Sequence, residues 1–190
     1  WGWGAGDYGQ LGDGANARRY APVKVTGLNR VVHVSCGSNH SMAITDDGSV
    51  WGWGNNALGQ LGDGTTTRYN VPVKANGLTE VVDMSCGANH SMALTLNGKL
   101  FTWGFNGVGQ LGNGTTTNSY VPVNVDALTG VIDIECGGNT SLVIRDDGSV
   151  WGWGGNSCGE LGNGNTTTQS APVQALLDFT DTTAPEWPGG

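Results

Sequence analysis

The chain has 190 residues, of which 34 are glycine and 13% are charged, and its formal net charge is −8. Phosphate backbones and anionic membrane surfaces bind clusters of lysine and arginine, and the 8 basic residues form none, so we expect no nucleic acid partner. No apolar run approaches the length that spans a bilayer, so we expect no membrane insertion. Regularly spaced apolar residues favour a packed fold with many tight turns.

One motif occurs four times, and the copies begin at Trp1, Trp51, Phe101 and Trp151. The second copy reads WGWGNNALGQLGDG. Successive copies start 50 residues apart, without insertion or deletion. A fixed period of this length is typical of a repeat architecture.

The complete unit from Val31 to Lys74 shows how each repeat folds. Four short strands are predicted, at 31–36, 41–45, 49–53 and 71–74. The Asp47-Gly48 pair predicts a hairpin turn between the second and third strands. Pro72 places the fourth strand at a sheet edge, because proline donates no ladder hydrogen bond. No segment has a sustained helical period, so we expect no substantial helix.

Four antiparallel strands in each repeat predict an all-β chain, a β-propeller built of four-stranded antiparallel blades. Residues 1–175 then form about 3.5 blades: a half blade at 1–24 and full blades at 31–74, 81–124 and 131–174. We expect this partial propeller to need further blades or other copies to cover its open ends. The remaining residues, 176–190, are polar and proline-rich, which predicts a linker to a further module.

The motif WGWGxxxxGQLGxG, the PV strand and the segment VxxVSCGxNHSMAxT with its DG hairpin resemble the repeat of the regulator of chromosome condensation family. The resemblance covers residues 1 to about 175 and implies a seven-bladed propeller whose innermost strands are 31–36 and its equivalents. A well-known relative is a guanine-nucleotide exchange factor that acts through an inserted β-wedge, for which the strict period leaves no room.

Bacterial members of the resembled family include an inhibitor that caps a β-lactamase with one propeller face. The end of the chain resembles the junction before fibronectin type III-like modules of secreted bacterial proteins. Together these likenesses imply a bacterial-type member that is extracellular or at the cell surface.

The recurring tryptophans alternate with glycine on the third strand: Trp3, Trp53, Trp103 and Trp153. This pattern predicts that each ring packs one blade on the next, with glycine admitting the ring of the neighbour. A sugar-stacking or light-sensing array is the alternative. A photoreceptor of the resembled family uses clustered tryptophans, but its arginine-rich motif is absent here.

Three cysteines share one repeat position: Cys36, Cys86 and Cys136. We expect buried small residues at the end of an inner strand rather than a thiol site for a soft metal. His40 and His90 occupy one repeat position, and the third equivalent position carries Thr140. A metal-binding or catalytic histidine would be hard to replace with threonine. We therefore expect each histidine to hydrogen-bond within its own blade, and we expect no metal, no cofactor and no enzyme activity.

Variable loop positions are the predicted contact surface. Aromatic residues and arginines are typical interface anchors, and eight of them lie in or beside these loops: Tyr8, Arg18, Arg19, Tyr20, Arg68, Tyr69, Phe105 and Tyr120. Segment 55–58 reads NNAL, and its equivalents read AGDY, FNGV and GNSC. Because this segment changes from copy to copy, Asn55, Asn56 and Leu58 are also predicted contact residues.

Three functions remain open from the sequence. The first is a secreted or surface protein-interaction module that binds a partner protein through these loops. The second is a structural unit whose open ends pair with other copies into a ring or filament. The third is carbohydrate binding through the loop aromatics.

Overall fold

The computed structural model describes residues 1–177, which contain strands, turns and loops and no helix. The predicted linker at 176–190 therefore lies outside the described residues, apart from its first two. The strands are β1 Gly2–Gly4, β2 Arg19–Val23, β3 Val31–Cys36, β4 His40–Thr45, β5 Val50–Gly54, β6 Tyr69–Lys74, β7 Val81–Cys86, β8 His90–Thr95, β9 Leu100–Gly104, β10 Ser119–Asn124, β11 Val131–Cys136, β12 Thr140–Arg145, β13 Val150–Gly154 and β14 Gln169–Gln174. Nothing helical in this part of the chain has the length and apolar character that a membrane crossing needs.

The strands form four antiparallel sheets. The first sheet pairs β1 with β2, and the second, third and fourth run in the orders β3-β4-β5-β6, β7-β8-β9-β10 and β11-β12-β13-β14. This arrangement confirms an all-β fold of four-stranded propeller blades with one partial blade. The proline-containing strands β6, β10 and β14 each lie at a sheet edge, as predicted.

Strand register places the long loops on one side of the blades. His40 at the start of β4 pairs with Gly54 at the end of β5, and Ile44 pairs with Val50. The turn 37–39 and the loop 55–68 therefore leave the second sheet at the same edge. We call this side, with the equivalent segments of the other sheets, the loop face; the opposite face carries the hairpin turns such as 46–49.

The hydrophobic core lies between neighbouring sheets. One cluster joins Met42, Ile44 and Val50 of the second sheet to buried residues of the third, Val81, Met84, Cys86, Ala93 and Trp103. A second cluster joins the third and fourth sheets in the same way. Each blade is therefore stabilised mainly by its neighbours, as in other stacked repeats.

Two predicted interior residues, one on the first sheet and one on the second, are exposed. Trp3 is 64% exposed, whereas Trp53, Trp103 and Trp153 are buried. Cys36 is exposed as well, whereas Cys86 and Cys136 are buried. The expectation of burial is therefore wrong for Trp3 and Cys36. Within residues 1–177, no GQLG loop of a preceding repeat lies against Trp3, and the two-stranded first sheet has no inner strand to lie against Cys36.

Candidate functional site

The backbone carbonyl of Gln60 is the centre of the contact between the second and third sheets. It accepts a hydrogen bond from Trp103 Nε1 at 2.9 Å and another from Ser91 Oγ at 2.9 Å. The same pair of bonds recurs at the other two junctions, where Gln10 accepts from Trp53 and Ser41 and Gln110 accepts from Trp153 and Ser141. The recurring GQLG and Trp residues therefore fasten each blade to the next.

A loop glycine, rather than the strand glycine, admits the tryptophan ring. Gly62 has a φ of 72°, and a Cβ there would lie 2.9 Å from Trp103 Nε1. A Cβ at Gly52 on β5 would instead meet Leu61 and Met42 of its own sheet. The predicted role of the strand glycine is therefore corrected: the ring of one blade rests on the GQLG loop of the preceding blade.

The histidines link neighbouring blades, which corrects the prediction of a bond within one blade. His40 Nε2 lies 3.1 Å from Ser91 Oγ of the third sheet, and His90 Nε2 lies 3.0 Å from Ser141 Oγ of the fourth. The Ser91 hydroxyl already donates its one hydrogen to Gln60, so His40 must donate through Nε2. The ring lies over Gly37, where a Cβ would come within 2.2 Å of it.

Burial keeps both histidines neutral. Desolvation, with a smaller contribution from the charge of His90, lowers the pKa of His40 to about 3. Desolvation alone lowers the pKa of His90 to about 4. Thr140, at the equivalent position of the fourth sheet, donates through Oγ1 to Gly155 O at 2.9 Å within its own blade.

The repeated cysteines lie at the inner ends of the blades and are unpaired thiols. Burial raises the pKa of Cys86 to about 12 and raises that of Cys136 as well, so neither thiol ionises readily. Cys158 is an exposed thiol in the loop of the fourth sheet. In residues 1–177, no group of three or more His, Cys, Asp or Glu side chains is arranged to hold a metal ion.

Asn56 is a loop brace and not a contact residue, which corrects its predicted role. Its side chain is fully buried, donates through Nδ2 to Asp63 Oδ1 at 2.9 Å and accepts from Leu61 N at 3.0 Å. Asn106 and Asn156 make the equivalent bonds. The asparagine recurs in three of the four copies, so the sequence already carried the signal that this position is not variable.

The first copy has Gly6 at the position of Asn56, and Arg19 there donates to the loop aspartate as the Asn56 amide does in the second copy. A Cβ at Gly6 would come within 2.0 Å of Ala17 O, so no side chain fits. Arg19 instead reaches the Asp13 carboxylate, through Nη2 at 2.6 Å and Nε at 2.7 Å. Burial raises the pKa of Asp13, but hydrogen bonds from Ala15 N–H and Arg19 outweigh it and hold that pKa below its ordinary value.

The other predicted contact residues differ in packing and exposure. Tyr120 packs on Gly59 of the preceding blade, where a Cβ would lie 2.4 Å from its Cδ1, and the Phe105 ring lies over Gly107. Tyr20 is 96% exposed. The half-buried members of the set are Asn55, Leu58, Tyr69 and Phe105.

Three predicted contact residues come together at the first blade junction, on the loop face. The Arg68 guanidinium lies 5.9 Å from the centre of the Tyr8 ring, and its Nη1 donates to Asp7 O at 3.3 Å. The Asp7 carboxylate lies 3.5 Å from Arg18 Nε. We call Asp7, Tyr8, Arg18 and Arg68 the Tyr8 cluster.

Solved structures of other proteins share this architecture. Human WBSCR16 superposes with a TM-score of 0.81 at 30% identity, over 93% of this chain and 47% of that chain. Yeast RCC1 (Prp20), solved with Kap60 bound, superposes with a TM-score of 0.81 at 22% identity, over 94% of this chain and 44% of that chain. The chain thus spans less than half the length of these proteins.

A family model described as the RCC1-like domain matches residues 1–185. The chain belongs to the RCC1-like domain family. The Protein RCC2 homolog of Danio rerio is 44% identical over 52 residues, which make up 26% of this chain and 10% of that protein. The sequence resemblance to the regulator of chromosome condensation repeat is therefore confirmed.

The RCC1-like repeats of this chain divide their residues by position. Those that recur in every copy, such as Leu61 and Gly62, lie at the blade junctions or inside the loops. The Tyr8 cluster has no counterpart at the next junction, where Leu58 and Asn118 occupy the positions of Tyr8 and Arg68. The residues that join the blades are thus shared by the repeats, whereas the Tyr8 cluster occurs at the first junction and not at the second.

Lowering the pH from 7 to 5 should destabilise the fold by about 2 kcal/mol for each of His40 and His90. Both folded pKa values, about 3 and about 4, lie below the ordinary value of 6.5. The unfolded chain therefore takes up protons first, and stability is lost as the pH falls from 6.5 towards the folded pKa values. Urea unfolding at the two pH values measures the loss.

The His40→Thr variant is the matched control, because the fourth repeat already carries threonine at this position, as Thr140. One of the two proton uptakes disappears in this variant, so the stability difference between pH 7 and pH 5 should shrink by about 2 kcal/mol. An unchanged difference would show that His40 is not held neutral by burial.

Proposed function

We propose that this RCC1-like chain is a non-catalytic protein-interaction module, secreted or surface-exposed, that binds its partner with the loop face. The Tyr8 cluster is the observation that carries the proposal. Tyrosine and arginine dominate the energetic hot spots of protein interfaces. Tyr8 is 42% exposed and Arg18 is exposed beside it, so both are accessible to a partner.

The division of labour between junctions and loops supports a binding role. Binding residues are commonly carried on loops that a rigid scaffold positions. Here the scaffold is the set of Gln-Trp-Ser junctions, and these junctions fix the positions of the loops. The yeast RCC1 structure with Kap60 bound shows that a protein of this fold binds another protein, which supports the proposal by analogy.

The burial and pairing of three titratable side chains support a module without catalysis. His40 and His90 are sealed between blades and neutral, and the Asp13 carboxylate is engaged by Arg19. The proposed extracellular location rests on the resemblance to secreted bacterial proteins.

A photoreactive residue at position 8 should capture the partner. We expect benzoylphenylalanine in place of Tyr8 to give one discrete protein adduct in source-cell surface or culture fractions, competed by excess unlabelled chain. The same residue in place of Leu96, which is 73% exposed on the opposite face, should not give this adduct. The same adduct from both positions, or none from position 8, would contradict binding through the loop face.

Self-assembly is a second candidate, favoured by the apolar surface where the first sheet meets β3 of the second sheet. Val34 on β3 is 65% exposed, although its equivalents Met84 and Ile134 are buried between blades. Trp1 and Trp3 line the same cleft of about 710 Å³. Contiguous apolar surface of this kind marks association sites, so we propose that other copies cover it in a ring or filament.

Light scattering over a range of concentrations tests self-assembly. Discrete oligomers that dissociate in Val34→Asp would support it. The control is Val32→Asp, since Val32 is 67% exposed and its equivalents Val82 and Ile132 are also exposed. A single monomeric mass at all concentrations would exclude self-assembly.

A further inference from the structure

Arg68 differs from every other arginine of the chain. Four of the five arginines pair with an aspartate: Arg18 with Asp7, Arg19 with Asp13, Arg30 with Asp46 and Arg145 with Asp147. Within residues 1–177, Arg68 has no carboxylate at ion-pair distance. Its positive charge therefore has no ion-pair partner among these residues, in a chain whose net charge is −8.

Arg145 shows what a completed arginine site looks like in this molecule. Its guanidinium lies 6.0 Å from the centre of the Trp151 ring. Its Nε donates to the backbone carbonyl of Thr129 at 2.7 Å, and its Nη1 lies 3.0 Å from the Asp147 carboxylate. The site thus has three parts: an aromatic ring, a backbone carbonyl and a carboxylate.

Arg68 reproduces two of these three parts. The Tyr8 ring lies 5.9 Å from its guanidinium, and the backbone carbonyl of Asp7 accepts from Nη1 at 3.3 Å. The carboxylate of Asp7 is directed to Arg18, at 3.5 Å from Nε. The third part, a carboxylate, is therefore what the Arg68 site lacks among the described residues.

The restraint on Arg68 favours binding. A long side chain that is free in solution loses rotamer freedom when it binds, whereas one already held by a ring and a carbonyl loses less. A guanidinium also presents its remaining N–H groups in a planar fork that matches a carboxylate. Arg68 is thus prepared to bind a carboxylate and not merely charged.

Basic side chains of the loops are concentrated at the same place. Arg18 and Arg68 are the basic residues of the loops 5–18 and 55–68 and both belong to the Tyr8 cluster, and the loops 105–118 and 155–168 carry neither lysine nor arginine. The net charge of −8 opposes an acidic partner at long range, but salt screens charges beyond about 8 Å at physiological ionic strength. The charges within a few ångströms of Arg68 therefore matter more for binding an acidic partner than the net charge of the chain.

We propose that Arg68 and Tyr8 bind a carboxylate side chain from an acidic segment of a partner protein. The inference rests on the proposed function and names the chemistry that this surface recognises. The partner carboxylate takes the position at Arg68 that Asp147 takes at Arg145, and the Tyr8 ring orients the guanidinium and packs against the stem of the acidic residue.

The arginine Nε–Hε signals in NMR spectra report this site directly. The probe is a capped hexaglutamate peptide, and a capped hexaglutamine peptide is the uncharged control. We expect hexaglutamate to shift the Arg68 Nε–Hε and Tyr8 ring signals saturably, with the Arg145 signal unchanged because its carboxylate is internal. Hexaglutamine should shift none of them. Absence of a shift at Arg68 would overturn the proposal.

Two variants of equal net charge separate a specific site from general electrostatics. Arg68→Gln should weaken hexaglutamate binding by about tenfold, because it removes the fork that holds the carboxylate. Lys99→Gln removes one positive charge from the opposite face and should change the affinity by less than about twofold. Equal weakening by both variants would overturn the site.

Competition with inorganic phosphate distinguishes the source of the anion. Phosphate should displace hexaglutamate only weakly, because it lacks the aliphatic stem that packs on Tyr8. Displacement at equal concentration would overturn the assignment to a protein carboxylate. If the Arg68→Gln variant captured the cross-linked partner as well as the unaltered chain, this inference would be wrong while the proposed function stood.

Discussion

The backbone carbonyl of one glutamine holds each blade to the next, and this residue is Gln10, Gln60 or Gln110 at the three junctions. Gln60 accepts from Trp103 and from Ser91 of the next blade, and His40 extends the network by donating to the same serine. Each such bond contributes about 1 kcal/mol, but a buried donor left without its acceptor costs more. Because every partner is buried, the bonded arrangement of the blade junction is favoured over one that leaves these groups unpaired.

Because the main chain of the glutamine makes the junction, its side chain is free to order the loop above. Gln60 Oε1 accepts from Leu58 N at 3.0 Å, and the buried Asn56 braces the other side of the same loop. The loop tips are therefore presented at fixed positions, whatever residues they carry. Tyr8 and Arg68 meet because the first two loops are held side by side in this way. The positions of Tyr8 and Arg68 at this surface are thus a consequence of the junctions below it.

Much of the fold follows from the sequence, since strand periodicity, Asp-Gly turns and the exact repeat leave few alternatives. The partners of single side chains do not. Nothing local says whether His40 reaches its own blade or the next, because the answer depends on the angle between sheets. Asn56 could have been recognised, because an asparagine recurs at its position. The pairing of Arg68 with Tyr8 has no periodic signal, since it joins residues of different repeats that occur once.

The most direct test of this account compares Gly62→Ala with Gly77→Ala by urea unfolding. Their φ values are 72° and 69°, so both variants carry the same backbone strain, of about 1 kcal/mol. A Cβ at Gly62 would meet the Trp103 ring at 2.9 Å, whereas one at Gly77 meets nothing within 4 Å. If the indole-to-loop contact holds the blades together, Gly62→Ala should cost about 1–3 kcal/mol more. Equal losses of unfolding free energy in the two variants would show that the contact between Trp103 and the loop does not hold the blades together.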